Sequence, residues 1–296
     1  MTPGDSDSEY LAGDQTQRKT TSLPQSWIDM DVPPATYDVN FCFPIPENLE
    51  SERVALMPFI VSSRCSYQYL WNQNPRNHSQ PSKHAQLFIE QATLYPQIFN
   101  YLPFGPFKDV DDFLTTLVEF RIRGDPGYIL FVVYDKTKPA CSSDHPGAFA
   151  GLIGLLNSSS PNLLTEIGFV VTFPPFQRTY VTSNAVGILL KFTLNLPSQQ
   201  PGALGLRRVI WQANALNKAS VRLAERMGFK LEGILRWERV LPASKSAVGA
   251  GNGKDTRDGD PRKECVGRDT ALLGLCWDVW EGGVREEVDK IMRRIQ

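Results

Sequence analysis

Histidine and any excess of one charge are what this 296-residue sequence has least of. Its three histidines, His78, His84 and His145, include none at metal-ligand spacing from a cysteine, so no metal site is expected. The five cysteines, Cys42, Cys65, Cys141, Cys265 and Cys276, contain no C-x-x-C pair, and an odd number does not complete a disulfide framework. The thiols therefore read as reduced. A G-x-S-x-G elbow, a P-loop lysine motif and an H-E-x-x-H pair are all absent, which leaves hydrolase, nucleoside-triphosphatase and zinc-protease chemistry without their signatures. No apolar run is long enough to span a bilayer, and the opening MTPGDSDSEYLAGDQTQ has no apolar core of a secretory signal. With 31 basic and 32 acidic residues the formal net charge is -1, too little to gather nucleic acid or anionic lipid. A cytoplasmic protein is expected, with the nucleus left open, and with neither nucleic acid nor membrane as a partner.

What is present is an ample core: 42% of the residues are hydrophobic. Residues 1–26 are polar and read as a disordered tail. Residues 27–53 carry Trp27, Tyr37, Phe41 and Phe43 between prolines, a pattern suited to an extended arm on a domain that runs to residue 296. Strands are expected at 54–59, 128–134, 148–156, 164–173, 208–212, 231–241 and 270–277, with the three from 128 to 173 forming a meander. Helical spacing marks 83–93, 109–123, 184–194, 218–227 and 280–295, the helix at 184–194 being apolar nearly all round and so buried. The run YLPFGPF at 101–107 is a proline-broken loop, and the Gly-, Lys- and Asp-rich stretch 243–268 reads as a flexible surface insertion.

Two segments carry more information. TEIGFVVTFPPFQRTYVTSNAVGILL, 165–190, is a strand, a loop and a helix start, and the N–H groups at such a helix start form an anion site. NALNKASVRLAERMGFKLEGILR, 214–236, matches N-x-x-S-x-R-x-x-E-x-x-GF-x-x-EG at several fixed positions. In this order the pair resembles the two cofactor motifs of the GCN5-related N-acetyltransferase (GNAT) superfamily. Their order and spacing resemble those of the branch that includes the RimJ/RimL-type ribosomal-protein acetyltransferases and their fungal relatives. The resemblance implies an α/β (α+β) GNAT fold: a mixed, mostly antiparallel central sheet flanked by helices and split near its middle. It also implies acetyl-CoA as co-substrate and direct transfer of acetyl to a primary amine, carried by a small molecule or a protein N-terminus, in a monomer or homodimer.

On that resemblance the pyrophosphate would lie against Gln177, Arg178, Thr179, Tyr180, Val181 and Thr182, and the pantetheine arm would pair with the backbone of Val171 and Phe173. Tyr180 and Thr182 stand where the family pattern has Gly and Gly or Ala. Asn217 and Ser220 would bond the pantetheine or sulfur end, and the same spacing suits a helix cap. Glu166 is the candidate general base; strand alternation sets it on one face with Gly168, Val170 and Thr172, with Ile167, Phe169, Val171 and Phe173 opposite. An ion pair of Glu166 with Arg207, Arg208 or Arg236 is the alternative reading. A strand N–H near Val171 would receive the oxyanion. The family's thiolate-protonating tyrosine is replaced by Ala224, which leaves Ser220 or Tyr180 as substitute donors, or a thiolate that departs unassisted. The loop at 101–107 is the candidate for shaping the acceptor site. A catalytically inactive acyl-CoA-binding or protein-interaction module is the alternative reading.

Overall fold

The run ILFVVYD is buried at every position, as a strand covered on both faces must be. It is β3, Ile129–Asp135, in the computed structural model, which describes residues 39–60, 83–140 and 145–294. The expected tail at 1–26 lies outside the described residues. Around β3 runs one eight-stranded sheet whose other members are β1 Leu49–Glu50, β2 Val54–Pro58, β4 Ala148–Ser159, β5 Leu164–Thr172, β6 Arg208–Asn214, β7 Lys230–Leu241 and β8 Val266–Cys276. The spatial order is β1-β2-β3-β4-β5-β6-β8-β7, and every neighbouring pair is antiparallel except β5 and β6. Parallel neighbours need a crossover, and α3, Tyr180–Leu194, supplies it. Twelve of its fifteen residues are buried, as its all-round apolar sequence requires.

The β5–β6 pairing is short. Leu164, Thr165 and Glu166 face Arg208, Val209 and Ile210, and beyond Glu166 the ladder stops while both strands continue. Two parallel strands that part in mid-course leave a cleft between them.

A second irregularity lies in β5 itself. Val171 faces Leu152 and Gly168 faces Gly154, so Phe169 and Val170 together oppose Ile153, with Phe169 at φ 49°. This is a β-bulge, which leaves an unpaired residue and re-aims those that follow. It corrects the strict alternation expected along 166–173. Leu152 and Gly154 are two apart on β4 and share a face, so their partners Val171 and Gly168 share one too.

Of the remaining helices, α1 is Lys83–Leu94 and α2 is Val110–Phe113, which continues with wider π winding over Leu114–Arg123. Asp109 caps α2 by accepting the Asp112 N–H. α4 is Lys218–Arg226 and ends on Gly228 at φ 94°, where the Phe229 N–H closes back on the Ala224 carbonyl at 3.1 Å. The last helix, expected as one piece over 280–295, is broken: α5, Trp277–Val279, leads through Trp280–Val284 with Gly283 at φ 122° into α6, Arg285–Arg293. The described part of the N-terminal arm docks through buried Phe43 and the Cys42 N–H, which donates to Pro126 O.

The stretch expected as a flexible insertion is tied down. Lys245 is buried and its ammonium donates to the carbonyls of Phe99 at 2.6 Å and Phe104 at 3.3 Å, while Asn214 Nδ2 donates to Ala250 O at 2.7 Å. Its final residues, from Val266, already belong to β8. Among the described residues no helix is long and apolar enough to cross a membrane.

Candidate active site

The cleft opened by the parting of β5 and β6 has a volume of about 800 Å³, in the size range of small-molecule sites. One wall is β5 from Glu166 to Thr172, the other is β6 from Trp211 to Asn214 together with the cleft-facing side of α4. The N-terminus of α3 closes one end, and the loop Tyr101–Phe104 with Arg121, Arg239 and Arg268 lines the other.

Glu166 sits at the last rung where the two strands still pair, 5% exposed. Its Oε2 accepts hydrogen bonds from Asn157 Nδ2 at 2.8 Å and Gln212 Nε2 at 3.1 Å. The alternative of an ion pair with Arg207, Arg208 or Arg236 is not what holds it; Arg208 is engaged with Glu232. Burial disfavours the charged carboxylate and lifts its pKa to about 7, against the lowering effect of the Asn157 hydrogen bond and of Arg239 and Arg268. Gly168 beside it has no side chain to fill the space: a Cβ there would lie 3.4 Å from Glu166 Oε1 and 2.4 Å from Leu156 Cδ1.

At the α3 end, Gln177, Arg178, Thr179 and Thr182 all line the cleft. Gln177 Nε2 holds the Thr172 carbonyl at 2.8 Å, and Thr182 Oγ1 pairs with Thr172 Oγ1 at 2.9 Å, which binds the helix start to the end of β5. Arg178 is at φ 60° in the turn. Thr179 is the N-cap and accepts the Val181 N–H at 3.2 Å.

The helix therefore begins one turn earlier than the expected 184, and Tyr180, Val181 and Thr182 are its first turn rather than a loop. That placement accommodates side chains where the family pattern has glycine, because the positive φ falls on Arg178 instead.

Three of the expected cofactor contacts are directed elsewhere. Tyr180 hydrogen-bonds Asp135 Oδ1 at 2.9 Å and Thr137 Oγ1 at 2.5 Å under the Arg53 guanidinium, away from the cleft lining, so it is not a donor to a thiolate there. Val181 is a core residue, 1% exposed. Phe173 is fully buried, its N–H is committed to Ala150 O and its carbonyl already accepts from the Phe176 N–H, so it has no backbone donor left to offer. Val171 does line the cleft.

On α4, Asn217 caps the helix by accepting the Ser220 N–H at 3.1 Å and also lines the cleft. Ser220 Oγ accepts from Trp211 Nε1 at 3.0 Å, which leaves its own O–H free to donate into the cleft. Arg222 and Arg226 face the cleft one helical turn apart, and Arg226 reaches Ser183 of α3 at 3.0 Å. With Arg178 they give the α3 end three cations around a helix N-terminus, a donor set that fits a polyphosphate.

The sequence reading missed Asn157, Trp211, Gln212, Arg222, Arg226, Arg239 and Arg268. For Arg222 and Arg226 the signal was there in their i, i+4 spacing; for the others it depends on strand register that no local pattern discloses.

The model of the acetyltransferase (GNAT) domain matches residues 81–230, just over half of the chain. Among solved structures, a GCN5-related N-acetyltransferase from Brucella melitensis superposes with TM-score 0.59 at 21% identity, over 84% of this chain and 86% of that one. A probable acetyltransferase of the GNAT family from Chromobacterium violaceum gives 0.55 at 25% identity, over 80% and 96%. RimJ of Mycobacterium smegmatis, in complex with CoA-disulfide, gives 0.51 at 14%, over 81% and 90%. No curated protein sequence matches the chain.

Proposed function

From the membership of this chain in the GNAT acetyltransferase family, we propose that it transfers acetyl from acetyl-CoA to a primary amine by direct attack within the cleft. One observation carries the reading: Glu166, a carboxyl with pKa about 7, stands where the two strands part and the walls of the cleft begin. Acetyl-CoA, when bound, supplies the activated acetyl thioester.

The cleft divides by chemistry. Arg178, Arg222, Arg226 and the α3 N-terminus suit the phosphates, and β5 at Val171 with Asn217 suits the amide arm. The acceptor amine then comes from the side of Tyr101–Phe104. An amine with pKa about 10 arrives as an ammonium at neutral pH, and Glu166, itself titrating near 7, takes its proton directly or through water. Charge that builds on the acyl oxygen is met by a strand N–H near Val171, beside the bulge at Phe169 and Val170. Ser220, oriented by Trp211, donates to the departing sulfur. Holding both reactants in one cleft provides the remaining advantage, with no covalent enzyme intermediate.

The test is calorimetric titration of the purified protein with acetyl-CoA, alongside Asn217→Ala and Gln177→Ala, followed by CoA release with an amine panel and a Glu166→Gln control. Binding weakened in both variants and turnover lost in Glu166→Gln are expected. Binding without any turnover would leave an acyl-CoA-binding module, and no binding at millimolar concentration would leave an interaction module.

A further inference from the structure

Besides Arg239 Nε, which makes an ion pair with Glu238 but no hydrogen bond, the acceptor end of the cleft contains two buried polar atoms with no hydrogen-bond partner among the described residues. Arg268 on β8 is 4% exposed and lines the cleft, yet its Nε has no hydrogen-bond partner among the described residues. Gln212 on β6 lines the same cleft, and its Oε1 is likewise buried without a hydrogen-bond partner among the described residues. One is a donor carrying positive charge, the other a neutral acceptor. Buried polar groups are nearly always satisfied, and a lone buried charge is the costliest kind to leave unmet, so a pair of this sort is a template of what is to be bound.

The surrounding charges do not satisfy Arg268. Arg239 has its own counter-ion: its Nε is 3.0 Å from Glu238 Oε2, and Glu238 also accepts from Thr270 Oγ1 at 2.9 Å. Glu166 takes its hydrogen bonds from the neutral amides of Asn157 and Gln212, and with a pKa of about 7 it is a poor permanent counter-ion at neutral pH. When Glu166 carries the proton of the acceptor, the group of Glu166, Glu238, Arg239 and Arg268 has one net positive charge, with Arg268 itself buried and Arg239 and Glu238 partly exposed. Desolvation pulls the Arg268 pKa down to about 10, the mark of a cation that lacks sufficient compensation.

We propose that the acceptor is a small amine that also carries a carboxylate, the carboxylate meeting Arg268 and the ammonium lying between Glu166 and Gln212 Oε1. A guanidinium is the group suited to a carboxylate by planarity and by its paired donors. Glu166, Gln212 and Arg268 line one cleft, and Gln212 bonds Glu166 directly, so both ends of the acceptor are bound in the same space. One cation for a carboxylate beside one site for an ammonium favours an amino-acid-like molecule over a polyamine, which has no carboxylate. The apolar wall of Tyr101, Leu102, Phe104 and Phe169 then faces its side chain. This assignment rests on the acetyltransferase reading above.

The experiment uses the full chain with acetyl-CoA and amines in matched pairs that differ only by the carboxylate: phenylalanine with phenethylamine, leucine with isoamylamine, plus spermidine and a short peptide amide. Acetyl-CoA binding is measured first, and CoA release second. For the carboxylate member kcat/KM should be higher by about tenfold or more, the scale of a charge-assisted hydrogen bond. In Arg268→Gln that ratio should fall towards one, and in Arg268→Lys it should be partly kept.

Failure to bind acetyl-CoA sinks the acetyltransferase reading and this inference together. Binding with no use of any carboxylate member, with equal use of both members, with preference for spermidine or the peptide amide, or with the ratio unchanged in Arg268→Gln overturns this inference alone. Since the wild-type ratio is itself diagnostic, the test stands even if an Arg268 variant folds poorly.

Discussion

Asn157 Nδ2 donates to Glu166 Oε2 at 2.8 Å, and this contact opposes the burial that holds the carboxyl pKa near 7. Asn157 is at φ 47° at the irregular end of the β4–β5 ladder, a conformation asparagine tolerates better than most residues. Removing it should leave the burial and take away the stabilisation of the charged form. The acid limb of kcat/KM, set by ionisation of the base, should therefore fall near pH 7 in the wild type and move up by about one pH unit in Asn157→Ala. A limb that stays in place would assign the titration to another group.

The same carboxyl should weaken the fold. A Glu whose pKa rises from 4.5 in the unfolded chain to about 7 in the folded one binds its proton more tightly when folded. Stability is then fully present below about pH 4.5 and is lost as pH rises through about 7, by up to about 3 kcal/mol. Glu166→Gln has no such loss. Denaturant unfolding of the two proteins should give similar stabilities at pH 4 and a more stable variant at pH 8, while turnover of the variant collapses. Parallel stability curves across this range would show that Glu166 is not buried as a titrating group.

Ser220 links two elements of the cleft, accepting from Trp211 Nε1 on β6 while its own hydroxyl hydrogen remains free. Ser220→Ala should lower kcat by about tenfold if that hydrogen serves the leaving sulfur, with a smaller change in the KM for acetyl-CoA. Ser220→Thr retains the hydroxyl and should restore part of the rate. Equal losses in both variants would reduce Ser220 to a packing role for Trp211.

Much of this was legible in the chain. The buried run of β3, the apolar helix α3 and the cap-to-glycine helix α4 follow from local composition, and the motif at 214–236 places Asn217 and Ser220 on the cleft. Glu166 was legible as a carboxylate in a strand, but its environment was not. Asn157 and Gln212 bond it from two other strands and Arg268 lines the same cleft from a third, and register between distant strands is fixed by the bulge at Phe169 and the interrupted β5–β6 ladder. Gly168 and Gly154 border the bulge, but the residues that form it, Phe169 and Val170, give no local sign of it. The segment 243–268 misled for the opposite reason: its composition is that of a solvated loop, while single residues within it, Lys245 and Ala250, do the anchoring.

Those anchors give a prediction that separates the two ends of the cleft. Lys245 holds the carbonyls of Phe99 and Phe104, and so fixes the loop that lines the acceptor end, while Arg226 sits at the α3 end and reaches Ser183. Replacing the buried ammonium by the apolar Met side chain leaves two carbonyls without their donor, at a cost of about 1–3 kcal/mol in unfolding free energy. Lys245→Met should therefore raise the KM for the amine more than that for acetyl-CoA. Arg226→Ala should do the reverse, and its deficit should shrink as salt is raised, because a phosphate contact is screened and a packing contact is not. Steady-state kinetics with each substrate varied in turn would read this crossover; if both variants raised the same KM, the division of the cleft into a phosphate end and an amine end would be wrong.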